Sequence, residues 1–177
     1  MRALSLAIGS MSGVIAFAGV FAPAAIADPA VPDPGYDDVT YLIGKCWNPS
    51  KPVEQEPTTI TYNCDGTSVM KDMVWTSWGA DGATGTGTDN SVQCKPDCAT
   101  GPRLVNPIVV RAWNPRQAAG CLPNLQFYSD ITVAYPQGVP PWITPGTQWA
   151  PDTLFTTVDG MPAVHYINQS ALSCTPL

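Results

Sequence analysis

Gln126-Phe127-Tyr128-Ser129-Asp130-Ile131-Thr132-Val133-Ala134-Tyr135 carries the clearest strand pattern in the chain. Phe127, Ile131, Val133 and Tyr135 fall on one side of a two-residue period, and Gln126, Asp130 and Thr132 fall on the other. That alternation predicts a strand with one face in a core and one in water. Working outward, Leu104 to Trp113 repeats the pattern with Leu104, Ile108, Val110 and Ala112 on one face, and Pro107 demotes its start to an edge or a bulge. On the other side, Leu154–Val158 and Ala163–Ile167 flank Asp159-Gly160-Met161-Pro162 and read as a hairpin.

Upstream, Thr58–Asn63 alternates Ile60 and Tyr62 with Thr59, Thr61 and Asn63, and Asp65-Gly66 follows as a turn signal. Val69 to Trp78 is β-rich and carries Trp75 and Trp78. Residues three apart in a strand face opposite ways, so both indoles reach a core only if both faces are covered or a bulge intervenes. Ala83–Thr88 alternates Thr84, Thr86 and Thr88 with Ala83, Gly85 and Gly87. The side without bulky groups can lie close under an indole. Pro136–Pro151 reads as one long Pro-rich loop holding Trp142 and Trp149. Trp-Asn-Pro occurs at residues 47–49 and 113–115 and suggests a strand-end device. No segment longer than a few residues shows helical period. The expectation is an all-β chain: an antiparallel β-sandwich of about seven strands, stapled by disulfides.

The first segment has a separate purpose. Met1-Arg2 is followed by the uncharged run Ala3–Ile26, which ends in Ala25-Ile26-Ala27 ahead of Asp28-Pro29. This is the pattern of a secretory signal peptide cleaved after Ala27. Residues 1–27 are thus assigned as signal peptide, 28–38 as an extended Pro- and Asp-rich leader, and 39–177 as a single β-sandwich domain. The expectation is a secreted, extracellular protein with no membrane span after processing.

The 177-residue chain has 8 Lys+Arg against 14 Asp+Glu, only 12% charged residues and 45% apolar ones. It is too apolar and too weakly charged for disorder. Its net charge of −6 excludes a nucleic-acid binder that works by neutralising phosphates. The six cysteines, Cys46, Cys64, Cys94, Cys98, Cys121 and Cys174, are an even set in an exported chain and argue for three bridges among fifteen possible connectivities. Cys94 and Cys98 enclose a three-residue loop and are expected to bond to each other. The other four would then pair among themselves, with Cys46 or Cys64 joined to the distant Cys121 and Cys174. C-x3-C with a single His in the chain offers no second ligand pair, so no metal is expected there. The Gly-Thr segment bracketed by Asp81-Gly82 and Asp89-Asn90 matches no calcium motif.

Cys64-Asp65-Gly66, Trp75-Thr76-Ser77-Trp78-Gly79-Ala80, Gly82-Ala83-Thr84-Gly85-Thr86-Gly87, Asn90, Cys94-x-Pro96-x-Cys98-Ala99-x-Gly101 and Val109-Val110 together resemble a group of small exported actinobacterial proteins of uncharacterised function. The likeness covers residues 58–135, and the Ala-x-Ala-Asp-Pro junction is similar to those of exported mycobacterial proteins. The resemblance implies export and a compact β domain; it carries over no catalytic residue.

Candidate chemistry is sparse. His165 is the only histidine and sits in a strand pattern, with no Gly-x-Ser-x-Gly elbow in the chain. A glycosidase needs two carboxylates across a cleft. Glu occurs only at Glu54 and Glu56, in a Pro-flanked loop, and most Asp residues stand at turns. Asp72 and Asp130 are the exceptions, placed in strand runs and expected on wet faces. Gly85-Thr86-Gly87 lacks the helix and Lys of a phosphate cradle. Aromatic binding is the remaining signal: Trp142 and Trp149 on a stiff loop can stack on sugars or fill partner pockets, or else cap an open end of the sandwich. The expected function is a binding or structural module at or beyond the cell envelope, with a glycan or protein partner, no nucleic acid, no cofactor and no catalytic residue. The alternative is a small extracellular hydrolase acting on envelope carbohydrate.

Overall fold

The computed structural model describes residues 38–43, 46, 48, 50–61, 64, 66–94, 96–118, 120–138 and 140–169, with the side chain of Trp149 excepted. Residues 1–27, read from the sequence as a signal peptide, the expected leader up to residue 37 and Cys174 lie outside the described residues. Among the described residues nine strands are present: β1 (Thr40–Leu42), β2 (Ile60–Thr61), β3 (Ser68–Ser77), β4 (Ala83–Val92), β5 (Arg103–Gln117), β6 (Leu125–Ala134), β7 (Gln148–Ala150), β8 (Thr153–Val158) and β9 (Met161–Tyr166). No helix occurs among the described residues. The strands join in one sheet of order β2-β3-β4-β5-β6-β9-β8-β7, antiparallel throughout, with β1 added in parallel to the free half-edge of β6. The all-β antiparallel expectation holds.

The sheet bends back on itself. Met70 of β3, Val110 of β5, Val133 of β6, Phe155 of β8 and Val164 of β9 share one core cluster. The two ends of the sheet therefore face each other across the core, as the layers of a sandwich do. A second, smaller cluster joins Leu42, Ala118, Leu125 and Phe127.

β3 solves the spacing problem of its aromatic and methionine residues with two bulges. The register against β4 shifts between Lys71 and Val74 and again between Trp75 and Ser77. Each extra residue turns the chain by one face. Met70 and Met73, three apart, are both buried in the main core. Trp75 and Trp78, also three apart, both pack against it and meet edge to face at 4.7 Å. Asp72, exposed with φ 54°, occupies the first bulge. Opposite, β4 passes beneath the large side chains where it has none: a Cβ on Gly85 would stand 2.8 Å from Trp75 Cε3, and one on Gly87 would stand 2.5 Å from Met73 Sδ.

β6 departs from its alternation. Phe127, Ile131 and Val133 are all buried, as their shared period predicts, Ile131 and Val133 in the main cluster and Phe127 in the second. Asp130 and Thr132, expected on a wet face, are buried too. The cause is β6's central place, flanked by β5 on one edge and by β9 and β1 on the other, with side chains of β5 and β9 over its outer face. Tyr128, fully buried, donates its hydroxyl to Gly79 O at 2.8 Å and accepts from Gly79 N at 3.0 Å. Burial pushes that phenol up to about 12.

Other boundaries move for local reasons. Pro107 sits in β5 opposite Thr88, where β6 has not yet begun to pair, so its missing N–H faces an unpaired edge as the sequence suggests. Trp113-Asn114-Pro115 lies inside β5 rather than at a strand end; Asn114 takes φ 57° there. The final hairpin is tighter than read: β8 and β9 meet at Val158↔Met161 across Asp159-Gly160 alone, both at positive φ, the geometry of a two-residue primed turn. Of residues 58–61 only Ile60–Thr61 form a strand, residues 62 and 63 lying outside the described residues, and the Pro136–Pro151 loop ends in β7.

Cys94 and Cys98 are bonded, as expected from their spacing. Asp97 inside that loop accepts bonds from Ala99 N (2.9 Å), Thr100 N (2.8 Å) and Thr100 Oγ1 (2.9 Å), which hold its carboxyl below the usual range. The long-range pairing expected of Cys46 and Cys64 is corrected: they bond to each other. The hydrophobic sheet brings the chain back by itself, and this bridge closes a local loop ahead of β3. Cys121 is also disulfide-bonded.

Candidate functional site

A cavity of about 340 Å³ opens where the two ends of the sheet face each other. β4 places Asp89 and Ser91 on one face by its two-residue period, and register sets Ser68 of β3 opposite Ser91. The residue after β6, Tyr135, enters from the sheet centre. β9 contributes Val164 and Tyr166, and β8 sets Phe155 opposite Val164. Pro141 and Trp142 come from the Pro-rich loop. That loop is tied to β8 by Gly146 N to Phe155 O (2.7 Å) and Phe155 N to Thr147 O (2.8 Å), and anchored by buried Ile143. Cys94 and Pro141 are exposed and mark the mouth; Asp89, Tyr135, Phe155 and Val164 are buried and form the depth.

Asp89 is the chemical centre of this cavity. It is 2% exposed. Its Oδ1 accepts from Ser91 Oγ and, at 3.4 Å, from Ser68 Oγ; its Oδ2 accepts from Tyr135 Oη at 3.0 Å. The two serine hydroxyls also touch at 3.1 Å. Burial raises the Asp89 carboxyl above its ordinary value, and the three hydroxyl bonds oppose that rise without cancelling it. Burial first, then the charge of Asp89, lifts the phenols of Tyr135 and Tyr166 well above the usual tyrosine range. The described partners of Asp89 are all neutral hydroxyls, and no Lys, Arg or His stands among the described residues of the cavity wall.

A second polar group lies where β5, β6 and β9 run side by side. Trp113, Asp130 and His165 are neighbours there. The imidazole is 26% exposed and its ring centre lies 5.1 Å from that of Trp113, over which Arg111 sits at 5.7 Å. Asp130 Oδ2 accepts from Asn114 Nδ2 (2.8 Å) and Ser129 Oγ (2.7 Å). Burial raises the Asp130 carboxyl, but these bonds, with Asn168 N and His165, outweigh it and leave the group below its usual value. His165 Nε2 lies 4.0 Å from Asp130 Oδ1, beyond hydrogen-bond range, and is buried with no hydrogen-bond partner among the described residues. Burial lowers the imidazole, and Asp130 opposes that shift. A serine triad needs the imidazole between hydroxyl and carboxylate. Here Ser129 spends its proton on Asp130 or Asn114 O, and His165 receives none.

Of the two aromatic anchors expected from sequence, Trp142 lines the cavity while also packing against the core. Trp149 lies in β7, and its side chain falls outside the described residues. Glu54 and Glu56 are exposed. Asp81 stands in an exposed turn while Asp89 lies six residues into β4, separated by about 20 Å of extended chain, so the two do not bracket one cation site. Asp89, Tyr135 and Tyr166 were not legible as a site: the only signal was an acidic residue within a β-rich run, and the residues that enclose it come from strands far apart in sequence. Comparison with known proteins finds no matching family model, no matching curated protein and no matching solved structure.

Proposed function

We propose that this protein is a non-enzymatic binding module that acts outside the cytoplasm, at or beyond the cell envelope, and that it captures one small ligand, or one side group of a larger envelope glycan or protein, in the cavity lined by Trp142, Tyr135, Phe155 and Tyr166. The observation that carries the reading is the cavity itself: an aromatic wall converging on one buried polar group is the usual form of a small-ligand site. Export is supported by the Ala25-Ile26-Ala27 pattern and by the disulfides, and it agrees with the resemblance to exported actinobacterial proteins. The cavity presents one carboxylate among its described residues where glycoside hydrolysis uses two, and Ser129, Asp130 and His165 stand in the wrong order for a serine hydrolase.

The test is a thermal-shift screen of fragment-sized compounds and monosaccharides against the secreted protein and its Trp142→Ala variant. Ligands that raise the parent's Tm and lose that effect in a folded variant are the expected result. Ligands indifferent to Trp142→Ala, or a screen without a single shift, contradict the assignment.

A further inference from the structure

We infer that the cavity takes an organic ammonium: a primary to quaternary ammonium head on a short alkyl stem. The inference rests on the binding reading above and names the ligand class for that site. Three independent features lead to it.

The first is charge. A carboxylate withdrawn from water is ordinarily paired with a cation. Asp89, 2% exposed, is held by Ser68, Ser91 and Tyr135, none of which carries positive charge. The three hydroxyls donate toward it, an arrangement that fits the ionised form. A carboxylate has about four acceptor sites; Oδ1 takes two of these bonds and Oδ2 one. Among the described residues Oδ2 therefore keeps a site for the N–H of a primary, secondary or tertiary ammonium, while a quaternary head, which has no N–H, meets the carboxylate through charge alone.

The second is the wall. Trp142, Phe155, Tyr135 and Tyr166 line the cavity beside Asp89. Aromatic faces carry negative electrostatic potential and attract cations, most strongly away from water. An anion would meet both the rings and the carboxylate. A neutral ligand would leave Asp89 without a counter-charge. The third is size and field. A volume of about 340 Å³ stands at the small end of ligand cavities, suited to a compact head and short stem. The net charge of −6 draws cations toward the molecule.

The same head is offered by a free small amine and by a lysine side chain, and a titration series separates the two. Calorimetry with butylammonium, butyltrimethylammonium, 1-butanol, pentanoate and a lysine tripeptide, at pH 7 and low salt, reads the preference on the wild-type protein alone. Both small cations are expected to bind about tenfold or more tighter than butanol, with pentanoate the weakest. Butylammonium binding above the tripeptide assigns the free cation, and the reverse order assigns a lysine side chain; either supports the ammonium head. In Asp89→Asn, cation affinity should fall to that of the alcohol. Equal binding of cation, alcohol and anion overturns the ammonium inference and leaves the cavity standing as a binding site. No binding by any member of the series, together with a fragment screen that finds no ligand dependent on Trp142, overturns both.

Discussion

His165 is the sole histidine, so its titration is read directly from one imidazole signal. Burial lowers its pKa from the ordinary 6.5, and the Asp130 charge works the other way. Its neutral form is the one the fold prefers. The stability it contributes is complete above pH 6.5 and is lost as pH falls through the lowered folded value. Proton NMR should place the midpoint below 6.5, and Asp130→Asn should move it lower still; a wild-type midpoint at or above 6.5 contradicts the placement. Gly85 is the other informative residue. With a Cβ only 2.8 Å from both Trp75 Cε3 and Val74 O, Gly85→Ala must displace an indole or a backbone. A loss of about 1–3 kcal/mol in denaturant unfolding is expected, and a variant as stable as the parent would show that the indole does not lie there. The sequence made this contact legible, because a side of the strand without side chains invites a ring.

At the scale of the element, β6 shows how far alternation reaches. Its existence, length and buried Ile131 and Val133 follow from period alone. Its second face does not, because burial of Asp130 and Thr132 depends on Trp113 and His165 arriving from β5 and β9. Ile131→Ala should cost about 2–5 kcal/mol in equilibrium unfolding; a loss below about 0.5 kcal/mol, no more than an ordinary surface substitution, would mean the residue is not in the core. β3 shows the opposite case. Trp75 and Trp78 at a spacing of three demanded a bulge or a doubly covered strand, and the structure supplies that bulge and a second one between Met70 and Met73. β2 and β7, of 2 and 3 residues, stand at the two ends of the sheet's strand order. Short edge strands limit pairing between molecules.

Over the whole molecule, the two disulfides with both cysteines among the described residues are local where the fold is not. Cys46–Cys64 and Cys94–Cys98 span separations of 18 and 4 residues, whereas the core joins β3 to β9. A non-reducing peptide map should return both pairs; any link from Cys46 or Cys64 to Cys121 contradicts this connectivity. Cysteine parity in the sequence indicates bridges but does not choose among them, since proximity is set by the sheet. The site follows the same rule. Trp142 stood out because a Pro-rich loop displays its ring. Asp89 did not, because an acidic residue in a strand ordinarily faces water and only the bent sheet encloses it.

The central claim is that the cavity around Asp89 is where this molecule binds. Chemical-shift mapping of the isotope-labelled protein with butyltrimethylammonium tests it most directly. Saturable shifts are expected at Ser68, Asp89, Tyr135, Trp142, Phe155 and Tyr166, with the Arg111, Trp113 and His165 signals unmoved. Saturable shifts centred on Trp113 and His165 would contradict it, as would no shift at the cavity at millimolar ligand together with a fragment screen that finds no ligand dependent on Trp142.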